Sequence, residues 1–351
     1  MGEDTKRHEA GASPAFQSAV TRAAQSARQL SSLGKPFSPR YVALLIAPCL
    51  LSACGGSSGG GSVNSTPIPP AANPAPQFTS FQAVQSGVNT TVSGTTREGS
   101  VAVDATSAIL QSGVSNPTQG NATVTFNVNS ARQANSLRID GTLSGFNFNS
   151  GSLNTAGLLF GGAQIGVLAL NATGSEQAAW LDPYAAGFNY QSFGVWGTGL
   201  VAGSTGKYGV ASVGIATGGS AIPTAGTVAF RGIAAGIYTA GAVSRYAANA
   251  NFNVDFGTRT IAFSTSNQTI TDIGTNQTIP VTWLDLNGTM TYAAGVNNFS
   301  GNVSARGQTS FQNLTGTASG QFYGPNANEI GGTFFLRGSV NTLVGGFGGK
   351  Q

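Results

Sequence analysis

Residues 251–263 read NFNVDFGTRTIAF and carry the clearest pattern in the chain. Phe252, Val254 and Phe256 alternate with Asn and Asp, which is the period of two expected of a half-buried β-strand. Gly257-Thr258 then turns the chain into a second apolar alternation. The stretch therefore predicts an antiparallel β-hairpin with one apolar face and one polar face.

The same alternation recurs through the C-terminal half of the chain. Successive antiparallel strands with short connections predict an eight-stranded antiparallel up-and-down β-barrel closed on itself. The predicted strands lie near 187–197, 207–217, 226–237, 246–256, 258–266, 280–292, 296–305, 314–323 and 330–339. Glycines inside strands fit the sharp coiling of a small barrel. They are Gly194, Gly288, Gly301, Gly316 and Gly320.

Residues 78–185 are also β-like, with a less regular pattern. Short strands are predicted at 142–148 and 167–170, and 157–162 reads as a buried strand or a tight turn. We interpret 78–185 as a smaller β-rich, handle-like domain before a barrel domain at 186–351. The chain is thus predicted to be all-β.

The N-terminal region predicts a membrane anchor. Leu51-Ser52-Ala53-Cys54 closes an apolar run that is too short to span a bilayer, which is typical of a bacterial lipoprotein signal peptide. Lys35 and Arg40 would supply its positive region. We expect residues 1–53 to be removed and Cys54 to be diacylated with fatty acids such as palmitate. A core segment that ends in cysteine is the alternative. The length of this signal indicates that translation starts later than Met1.

Residues 54–77 predict a tether between the anchor and the folded part. Its Gly/Ser half is expected to be a flexible coil, and its Pro-rich half is expected to be stiffer. Such a tether would lift a domain off the membrane. A structureless tail without that purpose has similar physics and stays the alternative.

Composition excludes several classes of function. Residues 1–53 hold six of the 16 Lys and Arg and three of the 12 Asp and Glu, which leaves ten basic and nine acidic residues. No basic stripe remains to neutralise phosphates, so nucleic-acid binding is not expected. His8 is the only histidine, and Cys49 and Cys54 are the only cysteines. The body therefore lacks the ligands of common metal and haem-His sites and the residues of Ser-His-Asp or Cys-His catalysis. We expect no cofactor.

Three segments carry a family resemblance. Residues 316–334, GTASGQFYGPNANEIGGTF, resemble the last hairpin of the transferrin-binding protein B barrel. Residues 190–197, YQSFGVWG, resemble the first strand of that barrel, and residues 222–232, IPTAGTVAFRG, resemble the segment entering its third strand. Their order and spacing also agree. The resemblance covers about 187–338 and does not clearly extend to 78–185.

The resemblance implies a surface lipoprotein of a Gram-negative bacterium, with a handle followed by an eight-stranded barrel. Members of the family capture host transferrin, haemoglobin or haem carriers, or complement factor H. Some depend on a surface-lipoprotein translocon, and some pass cargo to a TonB-dependent receptor. This chain has room for a single handle and barrel, so the two-lobed clamp is absent and no ligand-contact residue carries over. Within the hairpin, Tyr323-Gly324-Pro325 is expected to turn the chain, and Glu329 is expected to accept hydrogen bonds from turn amides.

We therefore expect a non-enzymatic ligand-binding module, lipid-anchored at the outer membrane and exposed on the cell surface. Loops on a rigid scaffold are the usual place for recognition. The candidate loops are 198–206, 218–225, 239–245, 267–279 and 306–313. The alternatives are an integral outer-membrane β-barrel or a structural envelope protein, and a carboxylate-dependent envelope enzyme. The carboxylates available to such an enzyme are Asp182, Asp255, Asp272, Asp285 and Glu329.

Three tryptophans offer a ligand interpretation beside a structural one. Trp196 and Trp283 lie in alternating strands and are expected in the core. Trp180 lies in an irregular stretch and is the better candidate for exposure. A tyrosine could ligate haem, but nothing in the sequence selects one.

Overall fold

The computed structural model describes residues 80–351 apart from six short gaps. The gaps are 106–112, 131–133, 150–153, 241, 274 and 307–312. The described residues form one compact unit. The predicted signal peptide, Cys54 and the tether at 54–77 lie outside the described residues.

The first half is a nine-stranded antiparallel sheet that curls into a half-barrel. Its strands are β1 (Thr90–Ala102), β2 (Thr118–Val128), β3 (Ala134–Asp140), β4 (Gly145–Asn149), β5 (Asn154–Phe160), β6 (Ala163–Leu170), β7 (Gln177–Leu181), β8 (Gln191–Thr198) and β9 (Thr205–Gly214). Their order in the sheet is β4-β3-β2-β1-β9-β8-β7-β6-β5. A short helix α1 (Pro183–Ala186) precedes β8, and Asp182 caps its N-terminus. We call this unit the first sheet.

The second half is a closed antiparallel barrel. Its strands are β10 (Thr227–Ala240), β11 (Ala242–Asp255), β12 (Thr260–Asp272), β13 (Thr278–Pro280), β14 (Leu286–Tyr292), β15 (Asn298–Ala305), β16 (Leu314–Tyr323), β17 (Glu329–Arg337) and β18 (Thr342–Lys350). Eight of them form a ring in which β18 pairs with β10 and β11 pairs with β12. The short β13 adds only to β12. The predicted all-β fold with an eight-stranded up-and-down barrel is confirmed.

The alternation of apolar and polar residues in the sequence determines which side chains face the interior of the barrel and which face solvent. In β14, Leu286, Met290 and Tyr292 are buried, whereas Asn287 and Thr289 face solvent. Phenylalanine rings from several strands meet in the interior, with centroids 5.0 to 6.4 Å apart. Barrels that cross lipid have the opposite arrangement, with an apolar outside and a polar lumen. Within the described part of the chain, no helix is long and apolar enough to cross a membrane.

Two of the strands that we predicted for the barrel belong to the first sheet. The segments predicted near 187–197 and 207–217 correspond to β8 and β9, which pair with β7 and β1. The link between the two units is therefore 215–226. Local alternation is the same in both sheets, so it could not show which strands pair.

The last barrel strand, β18, was not predicted. Four of its nine residues are glycine, which is unfavourable in an isolated strand. The tertiary contacts explain this composition, because a Cβ atom at Gly346 would lie 2.6 Å from the ring of Phe193, in β8. The glycines let β18 lie directly against the first sheet, with β10 and β17 on its two sides.

Candidate functional site

The antiparallel order places the turns of both units at two opposite ends. Phe81 donates its backbone N–H to the carbonyl of Asn189 at 2.7 Å, so the described chain enters beside the start of β8. We call this the entry end. We call the opposite end, which carries the β8–β9, β10–β11 and β17–β18 turns, the loop end. The ends of the two units coincide, because Ile215 accepts a hydrogen bond from Gly324 N at the entry end.

Four of the five predicted loops belong to the loop end. They are 198–206, 239–245, 267–279 and 306–313, although 307–312 lie outside the described residues. The fifth, 218–225, links the two units at the entry end and contains a 3-10 turn at Gly219–Ala221. The sequence identified these loops, but the strand topology was needed to show which of them share an end.

Exposed aliphatic side chains concentrate at the loop end. Of the nine large hydrophobic residues that are exposed in the described part of the chain, six lie there, each between 37% and 54% exposed. They are Leu143, Leu170, Val201, Ile273, Ile279 and Val340. Exposed apolar groups rimmed by polar residues are typical of protein–protein contact surfaces.

The β12–β13 hairpin holds two of these side chains on a rigid frame. The Asp272 carboxylate accepts hydrogen bonds from the backbone N–H and the hydroxyl of Thr275 at 2.7 and 2.9 Å. Arg245 donates to the side-chain oxygen of Asn276 at 2.6 Å, and Asn276 has a left-handed φ of 56°. A turn that is already ordered loses little conformational entropy on binding.

The loop end is also where the first sheet and the barrel are joined by side chains. Arg337 of β17 donates to the carbonyl of Val114, and its guanidinium lies over the ring of Phe335 at 5.5 Å. Tyr208 of β9 donates to the carbonyl of Ser115 at 2.7 Å, and burial raises the pKa of its phenol. The segment before β2 is therefore held by both units.

Among the described residues, apolar side chains fill the barrel at the loop end. Val281 and Leu284 are buried between β13 and β14. Trp283 is half-buried against Tyr238, with ring centroids 5.9 Å apart. Tyr246 donates from its hydroxyl to the carbonyl of Leu284 at 3.3 Å. The arrangement favours recognition on a surface over binding of a small molecule inside the barrel.

A buried arginine joins the middle of the two units. Arg97 of β1 is only 4% exposed and reaches the outer face of the barrel. Its Nε, Nη1 and Nη2 donate to the hydroxyls of Thr333, Thr317 and Ser319 at 3.1, 3.0 and 3.0 Å. Burial lowers the pKa of Arg97 to about 10. The planar fork of the guanidinium thus fixes the position of the first sheet on three barrel side chains.

Glu329 joins the two units at the entry end. It is 1% exposed, and its two carboxylate oxygens accept hydrogen bonds from the backbone N–H groups of Asn189 and Tyr190 at 2.6 and 2.9 Å. The prediction that Glu329 accepts from turn amides has the right chemistry, but the amides belong to the first sheet. Burial raises the pKa of Glu329, and these hydrogen bonds act in the opposite direction.

The other candidate carboxylates cap turns at separate places. Asp182 accepts from Tyr184 N at 2.9 Å, and burial raises the pKa of its carboxyl. Asp255 accepts from the N–H groups of Gly257 and Thr258 in the β11–β12 turn. Asp285 accepts from the Asn287 amide at 3.2 Å. Asp182, Asp255 and Glu329 belong to the entry end, whereas Asp272 and Asp285 belong to the loop end.

The aromatic candidates are mostly in the core. Trp196 is buried as expected, and its indole N–H donates to the hydroxyl of Ser144 at 3.0 Å. The expectation that Trp180 is exposed is wrong, because β7 alternates and turns Trp180 into the concave face of the first sheet. None of the tyrosines in the described chain is exposed, so the structure selects none as a haem ligand. The described residues also contain no cluster of three His, Cys, Asp or Glu side chains suited to a metal.

Sequence reasoning missed the charged residues that organise the two units. Glu98 of β1 is buried and accepts from the backbone N–H groups of Thr142, Leu143 and Ser144 at 2.6 to 2.9 Å. Arg97 precedes it directly. Arg97 and Glu98 are adjacent charged residues within a strand, in a chain with 8% charged residues. Because charged side chains are rarely buried without a partner, this pair indicated that such contacts exist.

One family model matches part of the sequence. Residues 222–351 match the family model described as the C-lobe and N-lobe beta barrels of Tf-binding protein B. The match begins at the segment entering β10, so residues 190–197, which resemble the family's first barrel strand, lie instead in β8 of the first sheet. No curated protein matches the sequence.

Solved structures that match this chain include two transferrin binding proteins and one lactoferrin binding protein. One is a mutant of transferrin binding protein B from Haemophilus parasuis Hp5, at 12% identity over 75% of this chain and 76% of that chain, with a TM-score of 0.35. Another is isotype 1 transferrin binding protein B from serogroup B Neisseria meningitidis, at 13% identity over 75% and 76%, with a TM-score of 0.34. The N-lobe domain of lactoferrin binding protein B of Moraxella bovis is 12% identical over 74% and 98%, with a TM-score of 0.33.

Proposed function

Since residues 222–351 match the family model of the transferrin-binding protein B barrels, we propose that the protein is a member of that family and captures an iron- or haem-carrying host protein at the cell surface. It is a non-enzymatic binding module of the outer membrane of a Gram-negative bacterium. Cys54 carries the lipid anchor, and the segment 54–77 is the tether. A TonB-dependent receptor would receive the cargo, and a translocon would bring the protein to the surface.

The loop end is the binding face in this proposal. The single observation that carries it is the grouping of six exposed aliphatic side chains on turns of both units at one end. Val201 and Val340 represent the first sheet and the barrel on this face. The chain enters at the other end, through Phe81, so a tethered molecule can present the loop end away from its anchor.

The alternatives are less well supported by the residues. The apolar interior of the barrel, with buried Phe252, Phe263 and Phe347, does not resemble a lumen, and its outward Asn and Thr side chains do not suit lipid. The candidate carboxylates each accept hydrogen bonds from nearby backbone or amide groups, and no two of them share a pocket with an orienting partner.

Binding of purified host proteins to the immobilised full chain tests the proposal. The probes are iron-loaded transferrin, lactoferrin, haemoglobin and free haemin. We expect a folded carrier protein to bind and haemin alone not to bind. The variant Val201→Asp with Val340→Asp should weaken that binding at least tenfold, because each carboxylate would be desolvated in the interface.

The matched control carries the same substitutions at the entry end, Val88→Asp with Val296→Asp. It changes charge and hydrophobicity equally but leaves the loop end intact, so binding should stay within twofold. Equal losses in both double variants would contradict the loop end as the binding face. Failure of every carrier to bind would contradict the proposed capture of an iron- or haem-carrying protein.

A further inference from the structure

We propose that the entry end is a second interaction surface, which rests on the anionic lipid headgroups of the membrane that holds the anchor. The inference depends on the proposed lipid anchoring at Cys54. It goes beyond the proposed function, because it assigns a contact to the end of the molecule that does not bind the carrier. The contact sets the orientation in which the loop end is displayed.

The entry end carries its own exposed aliphatic side chains. Val88 lies before β1, Val296 lies in the β14–β15 turn, and Leu159 lies near the end of β5. They are 50%, 43% and 63% exposed, which leaves Leu159 the most exposed large hydrophobic residue in the described chain. They come from the first sheet and from the barrel, so a flat surface lying across this end would meet both units.

The charges at the entry end favour an anionic surface. Arg231, Arg259 and Lys350 are exposed there, at the start of β10, in the β11–β12 turn and at the end of β18. Asp182 and Asp255 are the partly accessible acidic side chains among the described residues of this end, since Glu329 is buried. Arg231 and Lys350 are neighbours across the β10–β18 pair, so two of the cations lie together.

The loop end has no comparable excess of positive charge. Its accessible cations Lys207, Arg245, Arg306 and Arg337 are matched by the carboxylates of Asp104, Glu176, Asp272 and Asp285. Among the accessible charges of the described residues, cations are therefore in excess at the entry end, whereas the two signs balance at the loop end. A basic surface with exposed apolar side chains suits the boundary between headgroups and acyl chains.

The point where the chain enters makes this contact intramolecular. Phe81 is fixed to Asn189 at the entry end, and the predicted anchor lies 27 residues upstream of Phe81. A tether of this kind keeps the entry end at a high effective concentration near the membrane. A weak surface contact is then enough to orient the molecule, whereas the untethered unit would not bind membranes strongly.

Site-specific fluorescence quenching tests the inference on the lipidated full chain. The residues after Cys54 contain no cysteine, so one introduced thiol labels one position. We would attach bimane to Val296→Cys and Val88→Cys at the entry end, and to Val340→Cys and Val201→Cys at the loop end. The vesicles contain 30% phosphatidylglycerol and a lipid with a nitroxide on its headgroup.

We expect quenching at the entry-end positions to exceed that at the loop-end positions at least twofold. The double variant Arg231→Glu with Arg259→Glu should reduce the entry-end quenching to the loop-end level, as should high salt, because both remove the attraction to phosphate. Equal quenching at both ends, or stronger quenching at the loop end, would overturn the inference.

Flotation of the same samples separates this inference from the proposed function. A protein that floats with the vesicles but shows equal quenching is anchored without the proposed contact. That result contradicts the inferred membrane contact and leaves the proposed function standing. A protein that does not float lacks the anchor, and both proposals then fail. Two labelled positions at each end keep the test decisive if one variant does not fold.

Discussion

Replacing Glu329 tests how strongly the barrel and the first sheet depend on one another. Its carboxylate is buried and accepts the backbone N–H groups of Asn189 and Tyr190, which belong to the approach to β8. In Glu329→Ala both amides lose their acceptor. In Glu329→Gln one oxygen remains, and the new NH₂ group faces a donor.

The expected loss follows from the two unsatisfied amides. Leaving a buried N–H without a partner costs about 1–3 kcal/mol, and Asn189 and Tyr190 are only half-buried. Glu329→Ala should therefore lower the free energy of unfolding by about 2–4 kcal/mol. Glu329→Gln should cost about 1–2 kcal/mol, because one hydrogen bond remains and the buried charge is removed.

Urea unfolding monitored by tryptophan fluorescence measures these differences, and its pH dependence adds an independent test. Burial raises the pKa of Glu329 in the folded state, so the folded protein holds this proton more tightly than the unfolded chain. The stabilisation from protonation is complete below the unfolded pKa of about 4.3 and is lost as the pH rises through the raised folded pKa. Wild type should thus gain stability relative to Glu329→Gln between pH 7.5 and pH 5.

The matched control is Glu176→Gln, an exposed glutamate in the β6–β7 turn. It should change the free energy of unfolding by less than about 0.5 kcal/mol at either pH. An equally small effect of Glu329→Ala would refute the claim that this carboxylate joins the two units. A stability difference between wild type and Glu329→Gln that moves the other way with pH would refute the direction of the pKa shift.

Three further substitutions probe the remaining contacts. Arg97→Lys should lower the free energy of unfolding by about 1–3 kcal/mol, because one ammonium group cannot reach all three hydroxyls at once. The control is Arg138→Lys at an exposed position, and equal urea midpoints for the two variants would contradict the role of the Arg97 guanidinium. Gly332→Ala should cost about 1–3 kcal/mol, because its Cβ would lie 2.3 Å from a backbone oxygen, whereas Gly218→Ala has open space and should keep the melting temperature. Glu98→Ala should leave three turn amides without an acceptor and speed hydrogen exchange in the β3–β4 turn at least tenfold, and unchanged exchange would show that the carboxylate does not hold that turn.

Alternation made the barrel predictable from its own residues. The hairpin of β11 and β12 follows from Phe252, Val254 and Phe256 on one face and a Gly-Thr turn after them. Phe252 pairs directly with Phe263, as expected if both strands turn their apolar side chains to the same face of the hairpin. The loops between such strands could be identified as well, and four of the five proved to share one end.

The contacts that unite the two units were not predictable from local pattern. Arg97 is separated from Thr333 by more than 200 residues, and no local pattern connects a guanidinium with three distant hydroxyls. Trp180 likewise looked irregular in sequence but is placed in the core by the pairing of β7 with β6 and β8.

The sequence by itself determined the β-structure, the polarity of each strand face and the positions of most turns, because these follow from side chains two or three residues apart. Only the tertiary structure decided that β8 and β9 complete the first sheet, and that the glycines of β18 form a strand. Pairing between strands is selected by burial and close packing against residues far along the chain. Phe193 on Gly346 illustrates this, since neither residue indicates the other until the two units meet.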